Sequence, residues 1–177
     1  PVNKALYHLV RAATEAAAAT NQQKNSSPTK NSNERLPPVI VDSVSEMQGE
    51  RLDMKGSIGF VPTMGGLHQG HVDLIKQAKL ENDSVVVSVF VNPKQFAPTE
   101  DFGSYPREFE ADMEILKDLG VDVVFAPTMD DVYPQGYVTS IKISGIDDLS
   151  EGSSRPGFFD GVATVCSKLF NIVRPHN

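Results

Sequence analysis

At 177 residues the chain can build one well-packed core and little more. A net charge of −7, with no stretch dense in Lys and Arg, argues against a nucleic-acid scaffold. No apolar run reaches the roughly 18–20 residues of a membrane helix, and the single cysteine, Cys166, excludes an internal disulfide and a thiolate zinc cluster. One thiol suits reducing conditions, so a cytoplasmic protein without membrane or nucleic-acid partners is expected. The chain begins at Pro1 rather than Met, which leaves room upstream for a native start and an organellar targeting segment.

Residues 1–38 differ in character from the rest. Leu6–Thr20 is Ala-rich and predicts a helix with only a short apolar stripe. Asn21–Pro38 is rich in Asn, Ser, Gln, Lys and Pro and reads as a linker, so residues 1–38 are expected to lie outside the fold. From Val39 onward strands and helices alternate. Ile58–Pro62 predicts the first strand, and Gly70–Glu81 a helix with Val72, Ile75, Ala78 and Lys79 on its inner side. Ser84–Val91 is β-branched almost throughout, as suits a strand covered on both faces. Glu108–Leu119 predicts a helix closed by Gly120, and Val121–Phe125 a strand. Tyr137–Ser144 alternates like an exposed strand. Gly161–Val173 predicts a closing helix with Val162, Val165, Cys166, Leu169, Phe170 and Val173 on one stripe, Cys166 as a core residue.

Strands separated by helices of this length mean βαβ units. The expected fold is α/β, a Rossmann-like parallel sheet with helices on both faces, over residues 39–177. Ligands bind such sheets at the carboxyl ends of the strands. Two segments fall there. The first is Pro62-Thr-Met-Gly-Gly-Leu-His68-Gln-Gly-His71. Gly65 and Gly66 permit a tight turn, and the first N–H groups of the following helix can bind phosphate oxygens. His68 and His71 can both face that phosphate, with Gly70 keeping the approach clear. Imidazole donors so placed suit nucleotidyl transfer, where charge builds on the α-phosphate and the leaving pyrophosphate. A P-loop ending in Lys-Ser/Thr is absent, and so is GxGxxG. The second segment is Phe90-Val-Asn92-Pro93-Lys94-Gln95-Phe96, whose uncharged amides suit the hydroxyl and carboxylate groups of a small substrate.

Val61–His71 is similar to the ATP-binding signature of pantothenate synthetases, members of the nucleotidyltransferase superfamily with an HxGH motif. Phe90–Phe96 resembles their pantoate-binding loop, and Glu100-Asp101…Tyr105-Pro106-Arg107 their acidic–Tyr-Pro-Arg stretch. Glu151-Gly152…Arg155-Pro156-Gly157…Gly161-Val162…Thr164…Lys168-Leu169-Phe170-Asn171 resembles a further family block. The resemblance covers roughly Val39–Pro175. It implies ATP-dependent condensation of pantoate with β-alanine through a pantoyl adenylate, releasing AMP and pyrophosphate, with Mg²⁺ accompanying ATP.

On this resemblance Met64, Gly65, Gly66, Leu67, His68, Gln69, Gly70 and His71 form the ATP site, His71 as the catalytic histidine with His68 assisting. Gln95 holds pantoate and the incoming amine, and Asn92 shapes the site. Glu151 and Arg155 are candidate substrate ligands, a surface salt bridge between them being the rival reading. Arg107 is expected to organise its loop. Asp112 is a candidate Mg²⁺ ligand, or otherwise a solvated carboxylate. A homodimer through the larger domain is implied for the full-length protein.

Two departures stand out. The family usually carries His where Phe158 stands, which puts that position's hydrogen bond in doubt. The family's following strand, with its Gly-Glu-Lys-Asp…Gln-Gln run, and its closing domain are not found before Asn177, so the isolated chain is expected to be weakly active or inactive. The rival readings are another small-substrate nucleotidyltransferase, whose phosphate acceptor would need more cations than Asn92 and Gln95 supply, and a non-catalytic nucleotide-binding or dimerisation module. A dehydrogenase lacks its glycine fingerprint here.

Overall fold

A computed structural model describes residues 36–96, 108–145 and 151–177; the expected helix Leu6–Thr20, nearly all of the linker, and the Glu100–Arg107 stretch lie outside them. Four parallel strands form the sheet: β1 (Val39–Val41), β2 (Ile58–Thr63), β3 (Ser84–Val89) and β4 (Val123–Phe125), in the order β1-β4-β3-β2. β2 and β3 pair over six residues, from Ile58 opposite Ser84 to Thr63 opposite Val89.

Burial on both faces of the sheet explains the continuous apolar reading of β3. Val85, Val87 and Val89 pack with Ile75 of helix α2 (Gln69–Glu81) and with Phe109, Met113 and Leu116 of helix α3 (Phe109–Leu119). Val86 and Phe90 face the other way. They join Met47 of helix α1 (Val44–Asp53) and Val165, Leu169 and Val173 of the last helix. The short helices α4 (Met129–Val132) and α5 (Glu151–Ser154) precede that last helix, α6 (Phe158–Val173). The expected α/β architecture with helices on both faces is therefore present.

Several details differ from the sequence reading. Ile58–Thr63 is the second strand, because Val39–Val41 already pairs with β4 at the opposite edge. α1 was not anticipated: it buries only Met47 and carries no clear apolar stripe. Helix α6 begins three residues early, at Phe158. Tyr137–Ser144 forms no strand. It lies against α6, where Ile141 N–H donates to Thr164 Oγ1 (2.9 Å) and Ile143 N–H to Asp160 Oδ1 (2.9 Å), so helix side chains take the backbone groups that a ladder would have used.

Asn177 runs beside β2. Phe60 N–H donates to its carbonyl (3.0 Å) and its own N–H to the Ile58 carbonyl (3.3 Å), the alternation of a parallel pair. Even-numbered residues of β2 thus turn their amides away from β3. Pro62, which has no N–H, occupies such a position and costs the β2–β3 ladder nothing.

Ser88 is fully buried on β3, and its hydroxyl has no hydrogen-bond partner among the described residues. Ser88→Ala removes an unsatisfied group without removing a bond. It should raise stability by up to about 1 kcal/mol, read as a higher urea midpoint.

Candidate active site

The loop after β2 is held from below. Thr63 Oγ1 donates to the Ser88 carbonyl (2.7 Å) and accepts from Gly65 N–H (3.2 Å), tying the end of β2 to β3. Gly65 and Gly66 follow in the left-handed region, at φ of 82° and 63°. Asp112 then reaches up from α3. Its Oδ2 accepts from Gly66 N–H (2.9 Å) and its Oδ1 from Leu67 N–H (2.8 Å). A Cβ on Gly65 would sit 3.0 Å from that carboxylate, so Gly65 supplies clearance as well as conformation.

Asp112 is only 3% exposed, so the solvated reading of this carboxylate is corrected. Its periodicity places it on the inner face of α3, where the orphan amides of the turn stabilise it. It does not suit a magnesium ligand either, with each oxygen already held by a backbone N–H. No group of three or more His, Cys, Asp or Glu able to hold a metal occurs among the described residues. Asp112→Ala strands both amides. We expect a loss of about 2–3 kcal/mol in unfolding free energy, measured by denaturant titration.

His68 is the N-cap of α2 and His71 its third helical residue, and together they form a capping box built from imidazoles. His68 Nδ1 accepts from Gly70 N–H (3.1 Å), and His71 Nδ1 accepts from His68 N–H (3.4 Å). The rings stack with centroids 4.0 Å apart and planes 29° apart. An Nδ1 that accepts must carry no proton, so each neutral ring bears its N–H on Nε2. Both rings line the same cavity. The pKa of His71 is lowered, chiefly by burial and then by the charge of His68, with Asp112 opposing. Gly70 serves the pair more directly than expected: a Cβ there would press to 3.0 Å from the His68 ring.

The second segment turns inward. Asn92 is 1% exposed and caps a single 3₁₀ turn, Pro93–Gln95. Its Oδ1 accepts from Tyr133 OH (2.8 Å) and Lys94 N–H (3.2 Å), while its Nδ2 donates to the Gly161 carbonyl (3.1 Å) and Gln95 Oε1 (3.0 Å). All four hydrogen-bonding positions of this amide are taken. Asn92 therefore shapes the site, as expected, and has no position left for a substrate. Gln95 Nε2 donates to Met64 Sδ (2.9 Å), joining the two loops.

Between them lies a cavity of about 330 Å³. Thr63, His68, His71, Asn92 and Gln95 supply its polar side. Pro62, Phe90, Val162, Val165, Cys166 and Leu169 supply the apolar one. Cys166 is thus a wall of the cavity rather than a sealed core residue, and half-burial pushes its thiol pKa up.

Other expected ligands fall elsewhere. Gln69 is exposed and bonds Asp73 (2.7 Å), the Gly66 and Leu67 amides are engaged by Asp112, and Gly65 forms the left-handed turn before them. Arg155 is not among the cavity-lining residues. Its Nη2 donates to the Gln95 carbonyl (3.1 Å) and its guanidinium lies 4.3 Å from the Phe158 ring centroid. An aromatic face at position 158 therefore still has a function, bracing the arginine that holds the Gln95 loop. Glu151 starts α5, but its side chain is outside the described residues. Sequence reasoning missed Tyr133, 4% exposed beneath the cavity, and the apolar wall as a unit.

Two imidazoles at a helix start, opening onto the carboxyl ends of parallel strands, belong to an α/β fold of the nucleotidyltransferase type. Comparison with known proteins narrows this: the profile of the pantoate–β-alanine ligase family matches residues 39–177, and the chain belongs to that family. It is 53% identical over 137 residues to the pantothenate synthetase of Aquifex aeolicus (strain VF5), covering 77% of this chain and 48% of that one. To the Gluconobacter oxydans (strain 621H) pantothenate synthetase it is 57% identical over 119 residues, covering 67% and 43%. A crystal structure of the Francisella tularensis pantoate–β-alanine ligase, complexed with β,γ-ATP and β-alanine, superposes with a TM-score of 0.75 at 45% identity. That match covers 79% of this chain and 55% of the other. The chain spans about half the length of the curated relatives it matches.

Proposed function

We propose that this chain carries the ATP- and acid-binding half of a pantoate–β-alanine ligase. The observation that carries the reading is the histidine capping box. It holds both imidazoles with Nδ1 turned into the helix start and leaves the Nε2–H donors for the cavity.

In the proposed first step a carboxylate oxygen of pantoate attacks the α-phosphorus of ATP. The bond to the bridging oxygen breaks, pyrophosphate leaves, and pantoyl adenylate forms. His71, with His68 stacked on it, donates to phosphate oxygens as charge builds there. In the second step the β-alanine amine attacks the acyl carbon, loses a proton, and displaces AMP. The apolar wall from Pro62 to Leu169 complements the branched carbon skeleton of pantoate, and Gln95 faces its oxygens. Magnesium, in this reading, arrives with the phosphates and is not held by Asp112. A homodimer is the proposed assembly, on the family resemblance alone.

The test is calorimetric titration of ATP, with pyrophosphate release measured alongside. ATP should bind, His71→Ala should weaken it, and release should require pantoate. Binding without any pantoate-dependent release would point to a non-catalytic nucleotide module. Release driven equally by unrelated acids would sink the substrate assignment.

A further inference from the structure

Gln95 has an amide with two chemically opposite ends, and the surrounding hydrogen bonds decide which one meets the ligand. Two partners of Asn92 are unambiguous. The Lys94 backbone N–H can only donate, and the Gly161 carbonyl can only accept. Reversing the Asn92 amide would set N–H against N–H and oxygen against oxygen in a buried site. Tyr133 reinforces the same sense through its 2.8 Å bond to Oδ1. Its phenol pKa is pushed up to about 12, first by burial and then by Tyr137 and Cys166, so the hydroxyl keeps its proton. Asn92 therefore directs an N–H at Gln95. Gln95 must answer with Oε1, which leaves Nε2 on the far side, against Met64 Sδ and the cavity. A thioether is a weak acceptor, readily displaced by a carboxylate or hydroxyl oxygen.

We propose that Asn92, seconded by Tyr133, is a positioning residue that locks the Gln95 amide with its NH₂ toward the cavity, making that end of the site selective for an oxygen acceptor and closed to an ammonium group. The proposal rests on the pantoate-ligase reading for the identity of the acid. The lock separates the two substrates by hydrogen-bond polarity: a carboxylate or hydroxyl finds a donor on Gln95, whereas an amine cation, which has only donors, finds no acceptor there. The expected contact of Gln95 with the incoming amine does not fit this orientation.

Asn92→Asp inverts the polarity. A carboxylate cannot donate, so Gln95 must turn its NH₂ toward the new carboxylate and present Oε1 to the cavity. Gln95→Glu places an acceptor there directly and leaves the buried Asn92–Gly161 contact intact. NMR of the isotope-labelled chain reads the orientation without any ligand. In the wild type the Gln95 side-chain NH₂ should show contacts to the Met64 methyl group, and these should vanish in Asn92→Asp. Both variants should weaken pantoate binding by about tenfold or more. A folded Asn92→Asp that keeps the Met64 contacts would overturn the lock. So would Gln95→Glu binding pantoate as tightly as wild type, and that variant decides if Asn92→Asp fails to fold. If the contacts invert as expected but no protein binds pantoate, the lock stands and the substrate reading fails.

Discussion

His71→Ala should lower the rate of pantoate-dependent pyrophosphate release by about 10²–10³-fold, the range found when one preorganised transition-state donor is lost. The ratio of variant to wild type is the readout, whatever the absolute rate. The loss should exceed what the helix alone would suffer. His71 Nδ1 satisfies one amide at the start of α2, a bond at 3.4 Å, and such a cap contributes only about 1 kcal/mol. His68→Asn separates the two functions. Asparagine is a strong N-cap, so the Gly70 amide keeps a partner and thermal stability should hold, while the stacked ring and its donor are gone. A variant that keeps both its melting temperature and its rate would show that the His68 ring serves only the fold.

The same geometry gives activity and stability an acid limb. The His71 ring accepts through Nδ1, and an imidazolium has no acceptor, so its protonation sets N–H against N–H at the cap. The folded pKa of His71 lies below its ordinary value, with burial as the main cause. Its contribution to stability is therefore complete above the unfolded value of about 6.5. It declines as pH falls through that value toward the lowered folded one. Asp112 pulls the other way, favouring the protonated ring. Asp112→Asn should therefore move the limb to lower pH, visible in the His71 ring shifts during an NMR titration.

How much of this was legible differs between elements for physical reasons. β3 and α2 were readable because burial on both faces and a one-sided stripe each leave a periodicity in the residues themselves. The HxGH turn was readable because glycine at positive φ and histidine at a helix start are demanded locally. α1 leaves only its start signal, Ser43 followed by Glu46, with no apolar stripe behind it to mark a helix. Tyr137–Ser144 misled because an alternating pattern reports exposure on one side, not the partner on the other. The Asp112 clamp on Gly66 joins residues 46 apart, Tyr133 reaches Asn92 across 41, and Arg155 braces Gln95 across 60. No local pattern encodes such pairings. The cavity wall is half visible: the stripe on α6 can be read from its spacing, but not that Val162 and Cys166 line the cavity at its edge.

Gly161→Ala is expected to be the most damaging one-carbon change in the described fold. The glycine is needed for space and not for an unusual conformation. A Cβ at this position would lie 2.3 Å from the Lys94 carbonyl oxygen and 2.6 Å from its carbon. Those atoms belong to the backbone of the Pro93–Gln95 turn and cannot swing aside as a flexible side chain would. Helix α6 must therefore retreat from the turn. The retreat stretches the bond from Asn92 Nδ2 to the Gly161 carbonyl, one of the two that fix the Asn92 amide, and loosens the wall formed by Val162 and Val165. We expect a loss of about 3 kcal/mol in unfolding free energy, with pantoate affinity reduced at temperatures where the variant remains folded. Gly66→Ala is the control. Its Cβ meets nothing within 4 Å, but φ is 63°, so the cost is backbone strain of about 1–2 kcal/mol without repacking. Urea titration of the two variants separates crowding from strain. A wild-type midpoint for Gly161→Ala would mean that α6 can slide over the turn, and the close approach would then not be what holds Gln95 in place.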